Sequence, residues 1–197
     1  MREFVYFSKD AVTSGRFDSN KLMEAGRMDI AIHSIISAFF LSHSFRSDVK
    51  MHLVFYGMPD PPKHIEIQIT PDLEISKKNV AKIIQKILYK YKEGEKREVL
   101  PGCFIEKKSF LKVVEELYNS GKEIFILDKR GEDIRKVKIP ENPVFILGDQ
   151  EGLPKKELNR LKEMATQVTI GPKVYLASQV VAIVNNELDR REVARKI

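Results

Sequence analysis

Residues 144–154, VFILGDQEGLP, decide the fold class of this 197-residue chain. Four apolar residues, Val144–Leu147, run directly into a turn in which Gly148 and Gly152 bracket three polar side chains. A short apolar run bounded by glycine indicates a buried strand, and the glycines allow positive φ and a close approach of a flat ligand to the backbone. Ligands of open α/β sheets bind beyond the carboxyl ends of the strands. The stretch therefore predicts a strand that ends in a binding loop, with a turn that uses glycine only for its geometry as the alternative.

The rest of the C-terminal half alternates between short apolar strands and amphipathic helices. Gly121 ends one helix, as a C-terminal cap should, and Pro154 lies in the first turn of another. Nearly all-apolar strands separated by such helices are typical of a parallel sheet covered on both faces. The predicted strands are EIFILD, PVFILG and QVTIG, and the predicted helices are SFLKVVEELYNSG, PKKELNRLKEMA and SQVVAIVNNELDRRE.

The sequence of the N-terminal half predicts two helices and two strands. Asp29 is predicted to cap a largely buried helix over DIAIHSIISAFFLSHSF, and Ser76 to cap a helix from about residue 77 to 91. MHLVFYG is typical of a strand, the prolines of MPDPPK end it, and HIEIQIT alternates as a half-buried strand does. Since no repeat or long linker interrupts the chain, the sequence predicts a single α/β unit over residues 1–197.

The composition favours a soluble protein with an anionic partner. The formal net charge is +6 and the pI is near 9.2, and nucleic acid is the commonest anionic partner of a soluble chain. Cys103 is the only cysteine, which excludes an intramolecular disulfide and a cysteine-based zinc site. His33, His43, His52 and His64 show no HxxxH-type spacing, so no metal site is predicted. No stretch resembles a signal peptide or a membrane span, and we expect a cytoplasmic protein.

Two further predicted strands end in residues suited to the same pocket. One ends at Leu127 and Asp128, and the other at Ile170, followed by Gly171 and the apolar loop 174–177. So short a loop is seldom so apolar unless something covers it. The Walker pattern and GxGxxG are absent, and two acidic residues in the turn would repel phosphate. Three neighbouring strand ends therefore predict a pocket with apolar walls and backbone polar contacts, which suits an adenine ring better than a phosphate.

At this point the motifs carry a family resemblance. FILGDQEGLP followed by VTIGPKVYLASQVVAIVNNELD resembles the C-terminal signature of the SPOUT, or trefoil-knot, RNA methyltransferases. Upstream, GRMDIAIHSIISAFFLSHSFRSD and VFYGMPDPP resemble the archaeal branch that methylates N1 of pseudouridine 54 in tRNA. The resemblance implies a SPOUT-type parallel sheet flanked by helices, a C-terminal trefoil knot, a homodimer, S-adenosylmethionine as cofactor and tRNA as partner. It also implies that residues 1–100 carry RNA-facing elements and that residues 101–197 form the knotted, cofactor-binding half.

The resemblance implies which residues contact the cofactor. They lie in the three strand-end loops and at the start of the last helix, and they are Leu127, Gly148, Gly152, Ile170, Gly171, Tyr175, Leu176 and Val180. Some relatives have a cysteine at the position of Val180. Valine there argues against a thiolate as an essential nucleophile.

Catalysis by such an enzyme is mainly a problem of positioning, because the methyl group of a sulfonium is already activated. A carboxylate is needed to accept the N1 proton or a hydrogen bond from it, and Asp29 is the candidate, with Arg27 beside it to anchor a phosphate or orient the base. The alternative is that Asp29 caps its helix and Arg27 is solvated.

Basic residues that neutralise phosphates are expected to supply the affinity for RNA. The candidates are Arg27, Arg46, Lys82 and Lys86. The resemblance places Arg46 near the active-site loop. The two lysines belong to a stripe of four that recurs every fourth residue, Lys78, Lys82, Lys86 and Lys90, and such a stripe is more often a solvated face.

Two other functions stay open on the sequence. LGDQEGL also resembles the glycine and glutamate turn of the ribose 2′-O methyltransferases, although that branch usually ends in a motif containing Ser-Leu-Asn where this chain has Tyr175–Ser178. A protein of the same fold that binds RNA or assists assembly without catalysis is the second alternative, and it would bind RNA without the cofactor.

Overall fold

A computed structural model of the protein describes residues 1–194 and contains one eight-stranded sheet flanked by helices. The strands are β1 (Arg2–Ser8), β2 (Val49–Phe55), β3 (Lys63–Gln68), β4 (Arg97–Leu100), β5 (Cys103–Glu106), β6 (Ile124–Asp133), β7 (Val144–Gly148) and β8 (Ala165–Thr169). The helices are α1 (Met28–Phe39), α2 (Val80–Tyr89), α3 (Phe110–Asn119), α4 (Leu158–Met164) and α5 (Ala177–Ala194).

The sheet is mixed, with the order β4-β5-β3-β2-β1-β7-β6-β8. Strands β2, β1, β7, β6 and β8 are consecutive in this order, and each pairs in parallel with the next. The pairs β2–β3, β3–β5 and β5–β4 are antiparallel. The predicted parallel sheet is therefore wrong for one edge. For the pairs β2–β3 and β4–β5 the reason lies in the connections, because loop 56–62 and the turn 101–102 are too short to hold the crossover that a parallel pair needs.

Strand β1 lies at the centre of the sheet, between β2 and β7. Sequence reasoning missed it. All seven residues of REFVYFS are buried, and a strand that is buried on both faces lacks the alternation that identifies a half-buried strand. Through β1, strands from both halves of the chain join in one sheet.

Two apolar layers cover the sheet, and β1 contributes to both. Phe4 and Tyr6 point into a core that also contains the buried faces of α1, α2 and α5. Val5 and Phe7 point to the opposite face, where α3 and α4 pack. Helices α1 and α5 also pack directly on each other. The covering of both faces is as predicted from the alternating strands and helices.

The helices of the N-terminal half differ from the prediction at their ends. Helix α1 ends at Phe39, six residues before the predicted end at Phe45, and Phe40 is extended. Arg27, in the left-handed conformation with φ of 61°, is the N-cap residue of α1, so Asp29 lies inside the first turn and does not cap the helix. Helix α2 begins at Val80 with Asn79 as its N-cap residue, so the predicted start at residue 77 and the predicted cap by Ser76 are both wrong. The Asn79 carboxamide oxygen accepts a hydrogen bond from the Ser76 N–H at 2.7 Å, so in the turn before the helix the side chain of Asn79 satisfies the backbone donor of Ser76.

The C-terminal helices follow the sequence more closely. The Ser109 hydroxyl caps α3 by accepting a hydrogen bond from the Lys112 N–H, and Gly121, with φ of 83°, follows its end as predicted. Helix α4 begins at Leu158, so Pro154 precedes the helix by four residues and does not lie in its first turn. Within residues 1–194, no helix combines the length and the apolar character that crossing a membrane requires.

Candidate active site

A cavity of about 570 Å³ lies where β7 and β8 end and where β6 bulges after Leu127. Its volume is in the range of small-molecule sites. Seven of the eight residues assigned to the cofactor line it, namely Leu127, Gly148, Gly152, Ile170, Tyr175, Leu176 and Val180. The eighth, Gly171, does not line the cavity. Strands β7, β6 and β8 are neighbours in the sheet, as predicted. The predicted end of a strand at Leu127 and Asp128 is wrong, because β6 bulges there and continues to Asp133.

Asp149 anchors the glycine-bracketed turn to the end of β1. Its side chain is 8% exposed, and its Oδ2 accepts hydrogen bonds from the Ser8 hydroxyl at 2.7 Å and from the Lys9 N–H at 3.1 Å. Its Oδ1 accepts a third hydrogen bond from the Glu151 N–H at 2.9 Å. Every one of these donors belongs to the chain itself, so the aspartate fixes the loop and is not free to act as a ligand.

Gly148 allows the turn to close on itself. A Cβ added to Gly148 would lie 2.5 Å from the carbonyl carbon of Gly152, a distance that backbone atoms cannot accommodate. Gly152 itself has φ of 77°, which other residues adopt only with strain. The atoms nearest to that Cβ belong to the turn itself, and the close approach of a ligand to Gly148, which lines the cavity, stays a prediction.

Loop 171–176 leaves its apolar side chains uncovered. Gly171 has φ of 155°, and a Cβ there would lie 2.8 Å from the Tyr175 hydroxyl, so the glycine accommodates the half-buried tyrosine. Val174 and Leu176 are 85% and 67% exposed. Within the described part of the chain, nothing covers these two side chains.

The cavity combines the two kinds of surface that S-adenosylmethionine requires. Apolar side chains such as Ile126, Leu147 and Val168 form its interior wall, and these suit an adenine ring. Gln150, Gln179 and the backbone of the glycine turn add polar groups to the lining, which suit a ribose and a charged amino-acid moiety. The residues present therefore fit this cofactor.

Arg27 and Asp29 form a two-bonded ion pair beside the cavity. Arg27 Nε donates to Asp29 Oδ1 at 3.0 Å, and Arg27 Nη2 donates to Asp29 Oδ2 at 3.1 Å. The hydrogen bond from Arg27 lowers the pKa of Asp29 below its ordinary value, so the carboxylate is ionised at neutral pH. The next residue, Ile30, lines the cavity, and the charge of Asp149 in the cavity wall acts on Arg27. The alternative that Asp29 caps its helix is wrong, whereas Arg27 is ion-paired and still has 41% of its side chain exposed to solvent.

Tyr6 lies behind this ion pair, and sequence reasoning missed it. Burial raises the pKa of the Tyr6 hydroxyl, and the charge of Asp149 raises it further, so the group stays protonated. Asp29 and Arg27 also act on it electrostatically. The signal that would have identified Tyr6 is its place two residues before the end of β1, a strand that the pattern did not reveal.

The lysine stripe lies over the edge of the sheet that is opposite the cavity. Lys82 and Lys86 are exposed on α2, and Lys78 and Lys90, just outside its two ends, are exposed as well. Helix α2 packs on α1, β4 and β5, and β4 is the edge strand opposite β8. The width of the sheet therefore separates the stripe from the strand ends that form the cavity.

Arg46 has a partner within the chain. Its guanidinium donates to both carboxylate oxygens of Asp189 in α5, at 2.8 and 2.6 Å, and its side chain is 14% exposed. Asp189 also accepts a hydrogen bond from Arg2 at 2.9 Å. Arg46 thus ties the segment after α1 to α5, and its contact with RNA stays a prediction.

Known proteins resemble the chain over nearly its whole length. A family model described as "Putative SAM-dependent RNA methyltransferase" matches residues 1–193. The tRNA (pseudouridine(54)-N(1))-methyltransferase of Pyrococcus abyssi is 38% identical, with 96% of this chain and 98% of that protein covered. The enzyme of the same name from Methanocaldococcus jannaschii is 32% identical, with 98% of each chain covered.

The fold has a counterpart among solved structures. The crystal structure of Archaeoglobus fulgidus Nep1 bound to S-adenosylhomocysteine matches with a TM-score of 0.63 at 13% identity, covering 97% of this chain and 98% of that one. At that identity the likeness concerns the fold alone. The family resemblance predicted from the motifs is confirmed by the family model and the two relatives, and the chain belongs to the family of S-adenosylmethionine-dependent RNA methyltransferases.

Proposed function

We propose that this chain transfers a methyl group from S-adenosylmethionine to N1 of pseudouridine 54 in tRNA. The observation that carries the proposal is the Arg27–Asp29 ion pair next to a cavity that the strand ends of β6, β7 and β8 form. The relatives from Pyrococcus abyssi and Methanocaldococcus jannaschii, which bear the name of this activity, support the choice of acceptor.

The cofactor is held by the residues that the family resemblance implies. In this proposal the walls of the cavity exclude water from its apolar part, and the backbone of turn 148–152 faces its polar part. When bound, S-adenosylmethionine supplies a methyl group that its sulfonium has already activated. Gly171 contributes by leaving room for Tyr175, and Val180 contributes apolar surface and no nucleophile.

Asp29 positions the acceptor and takes its proton. The N1–H of pseudouridine donates a hydrogen bond to the carboxylate. The proton moves to Asp29 as the bond from N1 to the methyl carbon forms and the carbon–sulfur bond breaks, with S-adenosylhomocysteine as the leaving group. A carboxylate with a lowered pKa is a weak base, yet it suffices here because N1 gains positive charge during the transfer and its proton becomes more acidic. Arg27 holds both oxygens of Asp29 in one orientation, which preorganises the acceptor site.

The substrate tRNA contacts the N-terminal half in this proposal. Arg27, with 41% of its side chain exposed, is the RNA contact nearest the cavity. Lys82 and Lys86 supply more distant phosphate contacts, and Arg46 becomes available only if it leaves Asp189. Residues 1–100 and 101–197 act as one domain, since β1 joins strands of both halves, and the enzyme works in the cytoplasm.

A second copy of the chain completes the site. The exposed Val174 and Leu176 beside the cavity support this part of the proposal, as does the half-exposed Ile183 on α5. The C-terminal trefoil knot implied by the family resemblance belongs to the same proposal. Light scattering on the purified protein tests the assembly, and a monomer at micromolar concentration that still transfers methyl groups would contradict it.

The function is tested with two tRNA transcripts that differ only in having pseudouridine or uridine at the target position. Labelled S-adenosylmethionine is the donor, and we expect transfer to the pseudouridine form alone. Transfer to both would favour ribose 2′-O methylation, because the ribose is the same in both. Binding of tRNA without transfer to either would favour a non-catalytic RNA-binding protein.

A further inference from the structure

Two buried histidines face each other on the sheet surface beneath α3. His52 Nδ1 on β2 lies 2.9 Å from His64 Nε2 on β3. The outer nitrogen of each ring contacts a carboxylate, with His52 Nε2 3.0 Å from Glu3 and His64 Nδ1 2.9 Å from Glu106. The two histidine side chains are only 5% and 4% exposed. The arrangement is a continuous row of carboxylate, imidazole, imidazole and carboxylate.

The row contains three contacts at hydrogen-bond distance, but two neutral imidazoles supply only two N–H protons. A neutral imidazole carries a single N–H, and a neighbouring carboxylate accepts but does not donate. If His52 and His64 each donate outwards, to Glu3 and Glu106, their inner nitrogens present two lone pairs to each other across 2.9 Å. Two lone pairs at that distance repel unless a cation lies between them.

A third group of the right chemistry faces the same gap. The ligand atoms of His52, His64 and Glu66 all lie within 4.8 Å of one another. A shared proton needs only the two nitrogens, whereas a metal ion uses a further oxygen ligand. Histidines that bind zinc commonly donate their other N–H to a carboxylate, which is what Glu3 and Glu106 accept here. We propose that His52, His64 and Glu66 form a binding site for a divalent transition-metal ion of the zinc class.

The outer carboxylates are held ionised in the roles that the site needs. Lys122 pairs with Glu3 at 2.5 Å, and Lys108 pairs with Glu106 at 2.9 Å. Each carboxylate can therefore accept the imidazole N–H without taking a proton itself. This fixes the tautomer of both rings, with the inner nitrogens unprotonated.

Binding requires two small adjustments. Tetrahedral coordination with zinc–nitrogen bonds of about 2.0–2.1 Å sets the two ligand nitrogens about 3.3 Å apart, so the rings separate by about 0.4 Å. Glu66 must also exchange part of its ion pairing with Lys50 at 3.1 Å and Lys96 at 3.0 Å. Lys96 is 43% exposed and can turn to water at little cost.

The site is separate from the cavity and has a structural role. It joins β2 to β3, whereas the cavity lies at the ends of β6, β7 and β8. The spacing of the histidines did not predict it, because the ligands meet across an antiparallel pair. His52 is paired in register with Glu66, and His64 is two residues from Glu66 on the same strand.

The test is a titration of the full-length, tag-free, chelator-treated protein with Co²⁺, followed by visible absorption and by thermal unfolding. We expect one equivalent to give the d–d bands of a low-coordinate site, zinc to displace it, and the unfolding temperature to rise with metal concentration. The E66Q variant keeps both imidazoles and should bind about tenfold more weakly or worse. The H43N variant is the matched control, since His43 is an exposed histidine outside the cluster, and it should bind as the wild type does.

Three results would overturn the proposal. Absence of absorption bands and of any shift in unfolding temperature would mean that the gap holds a shared proton. Equal affinity in E66Q and wild type would exclude the three-ligand site. Loss of binding in H43N would show an adventitious surface site. None of these readouts depends on methyl transfer, so they stand apart from the test of the proposed function.

Discussion

The two halves of the sheet, β7-β6-β8 and β2-β3-β5, carry their polar residues at different positions along the strands. On the β7-β6-β8 side, the polar residues follow the strands, as Asp149 follows β7, and the loops that carry them form the cavity. On the β2-β3-β5 side, polar residues such as His52 and His64 lie within the strands and pair across them. We infer that substitutions on the first side change function and that substitutions on the second side change stability.

The largest effect is expected for D29N. Asparagine keeps the size of the side chain but cannot accept the N1 proton, so kcat should fall about 100-fold or more, as for loss of a general base. Affinity for S-adenosylmethionine and the unfolding temperature should change little. Steady-state kinetics with the pseudouridine transcript measure this, and D72N, at an exposed aspartate, is the control. Equal loss of cofactor affinity and turnover would count against the proposed role.

The next effect is expected for G148A. The added methyl would lie 2.5 Å from the backbone of Gly152 and so must push the turn open. We expect affinity for S-adenosylmethionine to fall about tenfold and the free energy of unfolding to fall by about 1–3 kcal/mol. Calorimetric binding and denaturant unfolding measure the two.

The control for G148A is G94A. Gly94, unlike Gly148, has positive φ, and nothing lies within 4 Å of its added Cβ, so G94A adds backbone strain and no steric clash. G94A should lose about 1 kcal/mol or less of stability and no cofactor affinity. If both variants bound the cofactor equally well, the closed turn would not be needed for binding.

On the other side of the sheet, E106Q should lower stability and leave kcat unchanged. Burial alone would raise the pKa of Glu106, but hydrogen bonds from His64 and Lys108 outweigh it and lower the pKa from 4.5 to about 2. Since the folded state holds this carboxylate ionised, its contribution is complete above pH 4.5 and is lost as the pH falls towards 2. We expect a loss of about 1 kcal/mol at pH 7 in metal-free protein, shrinking below pH 4.5.

Urea unfolding of wild type and E106Q at several pH values measures that difference. E95Q, at an exposed glutamate outside the row, should show none of it. A difference between wild type and E106Q that stays constant from pH 7 to pH 3 would exclude the ionised carboxylate as its source.

The smallest effect is expected for the double variant K82A/K86A. Both ammonium groups lie on α2, across the sheet from the cavity, so they contribute only long-range or peripheral phosphate contacts. Affinity for tRNA should fall by about threefold, and the slope of log K against log salt should flatten by about one or two. Unchanged affinity and slope would show that the stripe is a solvated face.

The C-terminal half could be predicted from contiguous sequence. The strands around Ile126, Ile146 and Val168 are short apolar runs bounded by glycine or polar turns, so their positions and the cavity beside them follow from local patterns. The continuation of β6 to Asp133 beyond a bulge does not. The neighbourhood of the three ends follows from the parallel alternation of strands and helices. The motif identified Arg27 and Asp29 as candidates, although the ion pair between them was not predicted.

The remainder depends on pairings that the sequence does not state. Strand β1 carries no alternation because both faces are buried, and β4 and β5 are four residues long with mixed burial. The histidine row exists only in the register that sets His52 opposite Glu66. The anchoring of Asp149 could not be predicted, because two of its donors, Ser8 and Lys9, lie at the end of β1, far away in the chain.

The central position of β1 also bears on how fast the protein folds. Glu3 pairs with Val144 on one side and with Lys50 on the other, so the middle of the sheet joins residues that are very distant in the chain. A high contact order of this kind slows folding, because the entropy of closing long loops is lost before the pairing compensates for it. Until β7 docks, β1 presents an open edge to other chains, and we expect refolding to be slow and to give a higher yield at low protein concentration.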